Sequence, residues 1–274
     1  MAPQMVLVLL AVCVPLVYPA MALRPGWSRA MRYVLPVLPL PALVLALATG
    51  PGWQLELPWL LNGGLWAMDE LRRLFLLLTA VLWMVAGIYA VGYLGARNLR
   101  RFCVFWGLTL AGNLGLTLAM DIGSFYSFFA LMTFAAYGLV VHEWTAEATF
   151  AGRVYLVMAV LGEMAILVGL LLAAAAADSQ ILTDLPEAIA GSPRQDLIIA
   201  LLLGGFGVKA GLPLLHFWLP LAHPVAPTPA SAVLSGAMIK AGLLGWLVTL
   251  PFAEIAMPGW ATLMIVMGAS GSIG

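Results

Sequence analysis

Apolar runs long enough to cross a bilayer follow one another along almost the whole chain, and they constrain the fold more than any other feature. A transmembrane helix needs about 20 mostly apolar residues at a rise of about 1.5 Å each. Read with that ruler, the sequence gives spans at approximately 3–23, 33–50, 70–94, 102–120, 122–142, 153–177, 196–215 and 229–251. A ninth run, 258–274, stops at Gly274. Backbone polar groups in lipid must be satisfied inside helices or closed barrels, and runs this long and continuous are helices. The expected fold is an all-α polytopic membrane protein of about eight transmembrane helices plus a truncated ninth.

Composition narrows the function. Only 9% of the 274 residues are charged, against about 25% in a soluble domain. Twelve basic residues balance twelve acidic ones, which excludes a nucleic-acid binder, since that needs basic surplus. Cys13 and Cys103 form no CxxC pair, and an iron–sulfur cluster needs about four thiolates. His142, His216 and His223 are too scattered for a metal site. No nucleophile–base motif and no HExxH occurs. The expectation is therefore no cofactor and no metal, with any redox chemistry in other chains.

Charge placement suggests orientation. Met1 to Leu23 holds no Lys or Arg, so the first run lacks the basic region of a signal peptide and reads as an uncleaved span. Arg24, Arg29 and Arg32 fall in the first loop, and Arg97, Arg100 and Arg101 in the third. The sixth loop carries Asp178, Asp184, Glu187 and Asp196 against Arg194. Positive loops stay cytoplasmic, so the N-terminus is expected outside. Trp27, Trp53, Trp59 and Trp66 read as interfacial anchors.

Three charges fall where none belongs. Glu163, Lys209 and Lys240 each lie inside an apolar run. At mid-bilayer each costs about 2.5–3.5 kcal/mol if it faces lipid, so all three should face the bundle interior. Two readings are open: a structural pair that fixes helix packing, or a relay in which desolvation brings lysine and glutamate close enough in proton affinity to exchange. Around Lys209, Gly204, Gly205, Gly207, Gly211 and Pro213 crowd one stretch. Proline removes a helical hydrogen bond, which predicts a helix broken at Gly211–Pro213. Broken helices at membrane depth point to transport sites. The following HFWLPLAHPVAPTPAS has no helical period and reads as a loop or short re-entrant element. His216 and His223 within it extend a proton path or serve capping and packing.

The run FGVKAGLPLLHFWLPLAHPVAPTPASAVLSGAMIKAG resembles the signature of proton-conducting, antiporter-like membrane subunits. These occur in respiratory complex I, membrane-bound hydrogenases, formate hydrogenlyases and Mrp-type sodium/proton antiporters. AHPVAP and SGAMIK are most similar to the large antiporter-like subunit of hydrogenase-4-type complexes. DELRRLFLLLTAVLWMVAGIYAVGYL resembles the third span of the same family. The resemblance implies about fourteen helices in two inverted repeats, each with one broken helix and a half-channel. It implies a lysine on the broken seventh helix paired with a glutamate on the fifth, and a lysine on the eighth that continues the path inward. Lys209 and Lys240 match the two lysines. The family glutamate falls at about Ala130, and no acid occurs from Ile122 to Val141; Glu163, at a similar depth on the next helix, is the proposed substitute.

The resemblance divides the chain into N-terminal helices (1–100), a first antiporter-like repeat holding a proton half-channel (101–252), and the start of a truncated ninth helix (253–274). The ending suggests a fragment of a subunit of roughly twice the size, or a half-subunit completed by another chain. The implied function is proton translocation within a complex I-like or membrane-bound hydrogenase-type complex of the bacterial inner membrane. This chain would be its non-catalytic, ion-translocating part, with other membrane subunits as partners. The alternatives are a Mrp-type cation/proton antiporter or proton-driven uptake subunit, with sodium as a second ion, and a scaffold that has lost conduction.

Overall fold

The computed structural model describes residues 3–24, 27–58, 63–95 and 98–271. Its helices are α1 (Pro3–Ala22), α2 (Ser28–Met31), α3 (Leu40–Ala48), α4 (Glu70–Tyr93), α5 (Leu99–Leu118), α6 (Ile122–Val140), α7 (Ala146–Ala177), α8 (Leu185–Ala190), α9 (Gln195–Ala210), α10 (Trp218–Val225), α11 (Thr228–Val233), α12 (Ile239–Thr249) and α13 (Pro258–Gly271). A two-stranded antiparallel hairpin, β1 (Gln54–Leu57) and β2 (Gly64–Ala67), is an addition to the expected all-α fold.

Among the described residues, six helices are long and apolar enough to span a membrane: α1, α4, α5, α6, α7 and the continuous Thr228–Thr249. This is a multi-pass membrane fold. The expected span 33–50 runs from one end of the bundle to the other, from the groove of Arg29 and Arg32 beside Leu99 to the hairpin tied to Asp121, but not as one continuous helix. Pro36, Pro39 and Pro41 leave one 3-10 turn (Arg32–Val34), a run of turns and the nine-residue α3, because proline supplies no N–H to the ladder. The seventh span is 16 residues of α9. The sixth extends N-terminally, since Thr145 caps α7 by accepting from the Ala148 N–H at 3.1 Å. Gly274, Trp59 and Arg97 lie outside the described residues.

The core runs through α5, where Leu110, Leu114 and Leu118 are fully buried. One end of the bundle is tied by Asp121, whose carboxylate caps α6 through the Ser124 N–H (2.7 Å) and also accepts from the Leu65 N–H of β2 (2.8 Å). Beside it, Met120 N–H donates to Leu65 C=O and Leu182 N–H donates to Met120 C=O, both at 2.8 Å. The hairpin is thus stitched to the α5–α6 and α7–α8 connections. Trp66, expected at the interface, is instead 3% exposed and packs edge-on against Phe128.

Two glycines set the approach of α7 to α9. A Cβ on Gly205 would lie 2.9 Å from the Gly162 carbonyl oxygen, and one on Gly162 would lie 3.2 Å from the Gly205 carbonyl oxygen. Small residues let helix backbones approach closely in a membrane. This contact puts the positions after Gly162 and Gly205 over one shared space.

Candidate functional site

That space is a small cavity between α6, α7, α9 and α10, with free volume of about 10 Å³, room for about one water molecule. Glu163 (α7) and Lys209 (α9) both line it, 3% and 5% exposed. Phe129 and Thr133 reach it from α6, Tyr155 from α7 and Trp218 from α10.

Lys209 stands in the last turn of α9, where unpaired backbone carbonyls favour a cation. The helix stops one residue later. Gly211 takes a left-handed backbone (φ 74°), and its N–H and that of Leu212 both return to the Gly207 carbonyl, a close that suits glycine. The expected break at Gly211–Pro213 is present, followed by a turn to α10. The stretch 216–231, read as a loop or a short re-entrant element, is not a plain loop: it holds two short helices, Trp218–Val225 and Thr228–Val233. Pro229 occupies an early helical position whose N–H needs no partner.

The lysine Nζ donates to Thr133 Oγ1 at 3.0 Å and to Tyr155 Oη at 3.3 Å. It also lies 5.6 Å from the Tyr155 ring centre and 6.0 Å from that of Phe129, where ring quadrupoles attract a cation. Tyr155 is held by its own O–H, which donates to the Thr133 carbonyl at 2.8 Å, and by edge-on contact with Trp218. The Trp218 indole N–H donates to the Val208 carbonyl at 2.8 Å, which seats the ring beneath the break.

Glu163 contrasts with this. Neither buried carboxylate oxygen has a partner at full hydrogen-bond geometry, although the Thr133 hydroxyl lies near enough to interact with the carboxylate. Among the described residues it forms no salt bridge with Lys209, although both line one cavity and their charges interact. Two opposite charges are thus held near each other, out of water and out of direct contact. Ala130, where the family glutamate was expected, is absent from the cavity lining; α6 supplies Phe129 and Thr133 instead.

The other sequence-predicted residues do not join this cavity. Lys240 is half-buried on α12, just past a π-helical turn (Leu234–Met238), and it makes no hydrogen bond or ion pair among the described residues. Such turns often occur at functional sites. His223 pairs through Nδ1 with Ser231 Oγ at 2.6 Å. His216 stacks on Phe217, and its Nδ1 is buried without a partner. Sequence reasoning missed Thr133 and Tyr155, whose signal was a hydroxyl inside an apolar run.

Residues 96–273 match the family described as "NADH:quinone oxidoreductase/Mrp antiporter, TM". The uncharacterized protein Rv0083 of Mycobacterium tuberculosis is 38% identical over 191 residues, 68% of this chain and 30% of that protein. Hydrogenase-4 component B of Escherichia coli is 28% identical over 208 residues, 74% of this chain and 31% of that protein. The solved Mrp complex from Dietzia sp. DQ12-45-1b contains a chain that superposes with TM-score 0.78 at 22% identity, covering 89% of this chain and 48% of that one. The chain therefore spans less than a third of the length of those two curated relatives. On the match over residues 96–273, this chain belongs to the NADH:quinone oxidoreductase/Mrp antiporter transmembrane family.

Proposed function

We propose that this chain translocates protons as an antiporter-like membrane subunit, with Lys209 as the central carrier and Glu163 as its exchange partner. The single observation that carries this reading is the buried, unlocked pair. A salt bridge would hold both groups charged, and a buried charge without its partner is strongly unfavourable. Held apart across a small cavity, the two can share one proton in two ways. With the proton on lysine both are charged; with it on glutamate both are neutral and desolvation is relieved. Exchange through an intervening water lies within the size of the cavity.

Lys240 is the inward relay of the proposed path, the half-channel belongs to residues 101–252, and His216 and His223 lie along the approach. The likeness to hydrogenase-4 component B supports a place within a larger respiratory or hydrogenase-type assembly. Energy would reach the site by electrostatic or conformational coupling from partner subunits. The arginine-rich first and third loops favour a cell-membrane location with the N-terminus outside.

A second reading, cation/proton antiport, draws on the likeness to the Mrp complex and on the buried carboxylate oxygens of Glu163. The test is proton translocation by membranes holding the assembled protein. Lys209→Ala and Glu163→Gln should each lower it while leaving assembly intact, without need for sodium. Wild-type rates in Glu163→Gln would remove that residue from the path, and sodium-dependent rates would favour the second reading.

A further inference from the structure

At the end of the bundle opposite Asp121, the first and third loops frame a groove of about 680 Å³ lined by Arg29, Ala30, Arg32, Tyr33 and Leu99. Neither arginine that lines it has an acidic partner among the described residues, whereas Arg101 of the third loop interacts with Glu143. No Asp or Glu occurs before Glu56 or between Glu70 and Asp121. Among the described residues, none of Arg24, Arg29, Arg32, Arg100 and Arg101 forms a salt bridge. Arg32 is fixed in place: it donates to Tyr33 Oη at 2.6 Å and to the Leu94 carbonyl at 3.4 Å, while its Nε is buried without a partner. The side chains of Arg29 and Arg100 are exposed and make no hydrogen bond among the described residues.

Guanidinium groups bind phosphate oxygens in a fork that a simple point charge does not offer. The surroundings set the depth of the groove. Trp27 and Tyr33 are exposed at its rim, with Tyr93 exposed at the nearby end of α4, and exposed aromatics of this kind mark the level of lipid headgroups. Tyr33 lies under the Arg32 guanidinium, 4.7 Å from it, and Val37 continues the exposed apolar surface away from the loop. A phosphodiester at the arginines would leave its acyl chains on that apolar side.

We infer that this groove binds the headgroup of an anionic phospholipid. Binding would offset part of the loop charge and anchor the α1–α3 and α4–α5 connections to the leaflet. This assignment is independent of the proton path.

The test titrates the purified protein with phosphatidylglycerol, with phosphatidylcholine as zwitterionic control and inorganic phosphate as free-anion control, and counts bound lipid by native mass spectrometry. Each arginine near an anionic headgroup contributes enough that Arg29→Gln should weaken phosphatidylglycerol binding about fivefold and Arg29→Gln with Arg32→Gln roughly thirtyfold. Arg29→Lys, which keeps the charge but not the fork, should weaken binding by less than Arg29→Gln. Arg194→Gln, exposed in the acidic loop at the other end, should change nothing. Arg32 ties to Leu94, so its loss could disturb folding; Arg29 makes no such bond, and its single variant stands alone as a test. Equal binding of the two lipids, or full preference in Arg29→Gln, overturns the assignment. Displacement of the lipid by inorganic phosphate would also overturn it and make the groove a free-phosphate site.

Discussion

Lys209 directs its ammonium at the neutral hydroxyl of Thr133, 3.0 Å away, rather than at the carboxylate of Glu163 in the same cavity. A neutral acceptor stabilises the charge without locking it, and it leaves Glu163 free to take a proton. The family position for the acid, at about Ala130 on α6, is therefore filled from α7, while α6 contributes a hydroxyl one turn further along.

The hydroxyls should matter for rate more than for fold. Tyr155→Phe keeps the ring against Trp218 but removes one acceptor from Lys209 and the donor to the Thr133 carbonyl. Each lost hydrogen bond costs about 0.5–1.5 kcal/mol of stability. Proton translocation should fall clearly in Tyr155→Phe and in Thr133→Val, with thermal unfolding shifted only slightly. Unchanged rates in both variants would mean that the hydroxyls merely pack.

Adjacent glycines should respond with opposite sign. A methyl at Gly205 meets the Gly162 carbonyl oxygen and the Ile166 amide nitrogen at 2.9 Å, whereas a methyl at Gly204 meets nothing within 4 Å. Gly205→Ala should cost about 1–3 kcal/mol by overpacking and widen the cavity. Gly204→Ala should stabilise by about 0.5–1 kcal/mol, because alanine is the better helix former. Thermal unfolding of the two variants in detergent measures the difference, and equal effects would refute the close α7–α9 contact.

Two residues beyond α6, His142 is 3% exposed, and burial holds its imidazole below the usual range; the positive charge of Arg101 adds to this and Glu143 opposes it. A folded-state value below the unfolded 6.5 means that the unfolded chain takes up the proton first as pH falls. Stability from this residue is present above 6.5 and is lost below it. Melting midpoints across that interval should drop less in His142→Gln than in the wild type. Parallel curves would show that His142 does not set the acid sensitivity.

What the sequence revealed and what it hid divide along physical lines. Glu163 and Lys209 stood out because a charge inside an apolar run has a known cost, and the break at Gly211 stood out because proline and glycine act on the backbone locally. Thr133 and Tyr155 did not stand out: hydroxyls are unremarkable in spans, and their meeting with Lys209 depends on the packing of three helices. Hydropathy located the run 33–50 but not its interruption, because apolar side chains say nothing of a backbone that Pro36, Pro39 and Pro41 keep from continuous helix. The π-helical turn before Lys240 and the hairpin at Gln54–Ala67 left no periodic signal at all.

The central claim is that Lys209 and Glu163 work as one unit. It is tested most directly by a double-mutant cycle on proton translocation, comparing Lys209→Ala, Glu163→Gln and the two together in the assembled protein. Residues that exchange one proton are coupled, so their effects should not add. The double variant is predicted to be no slower than Lys209→Ala alone. If instead the two losses multiply, the residues act independently, and the cavity between them is packing rather than a path.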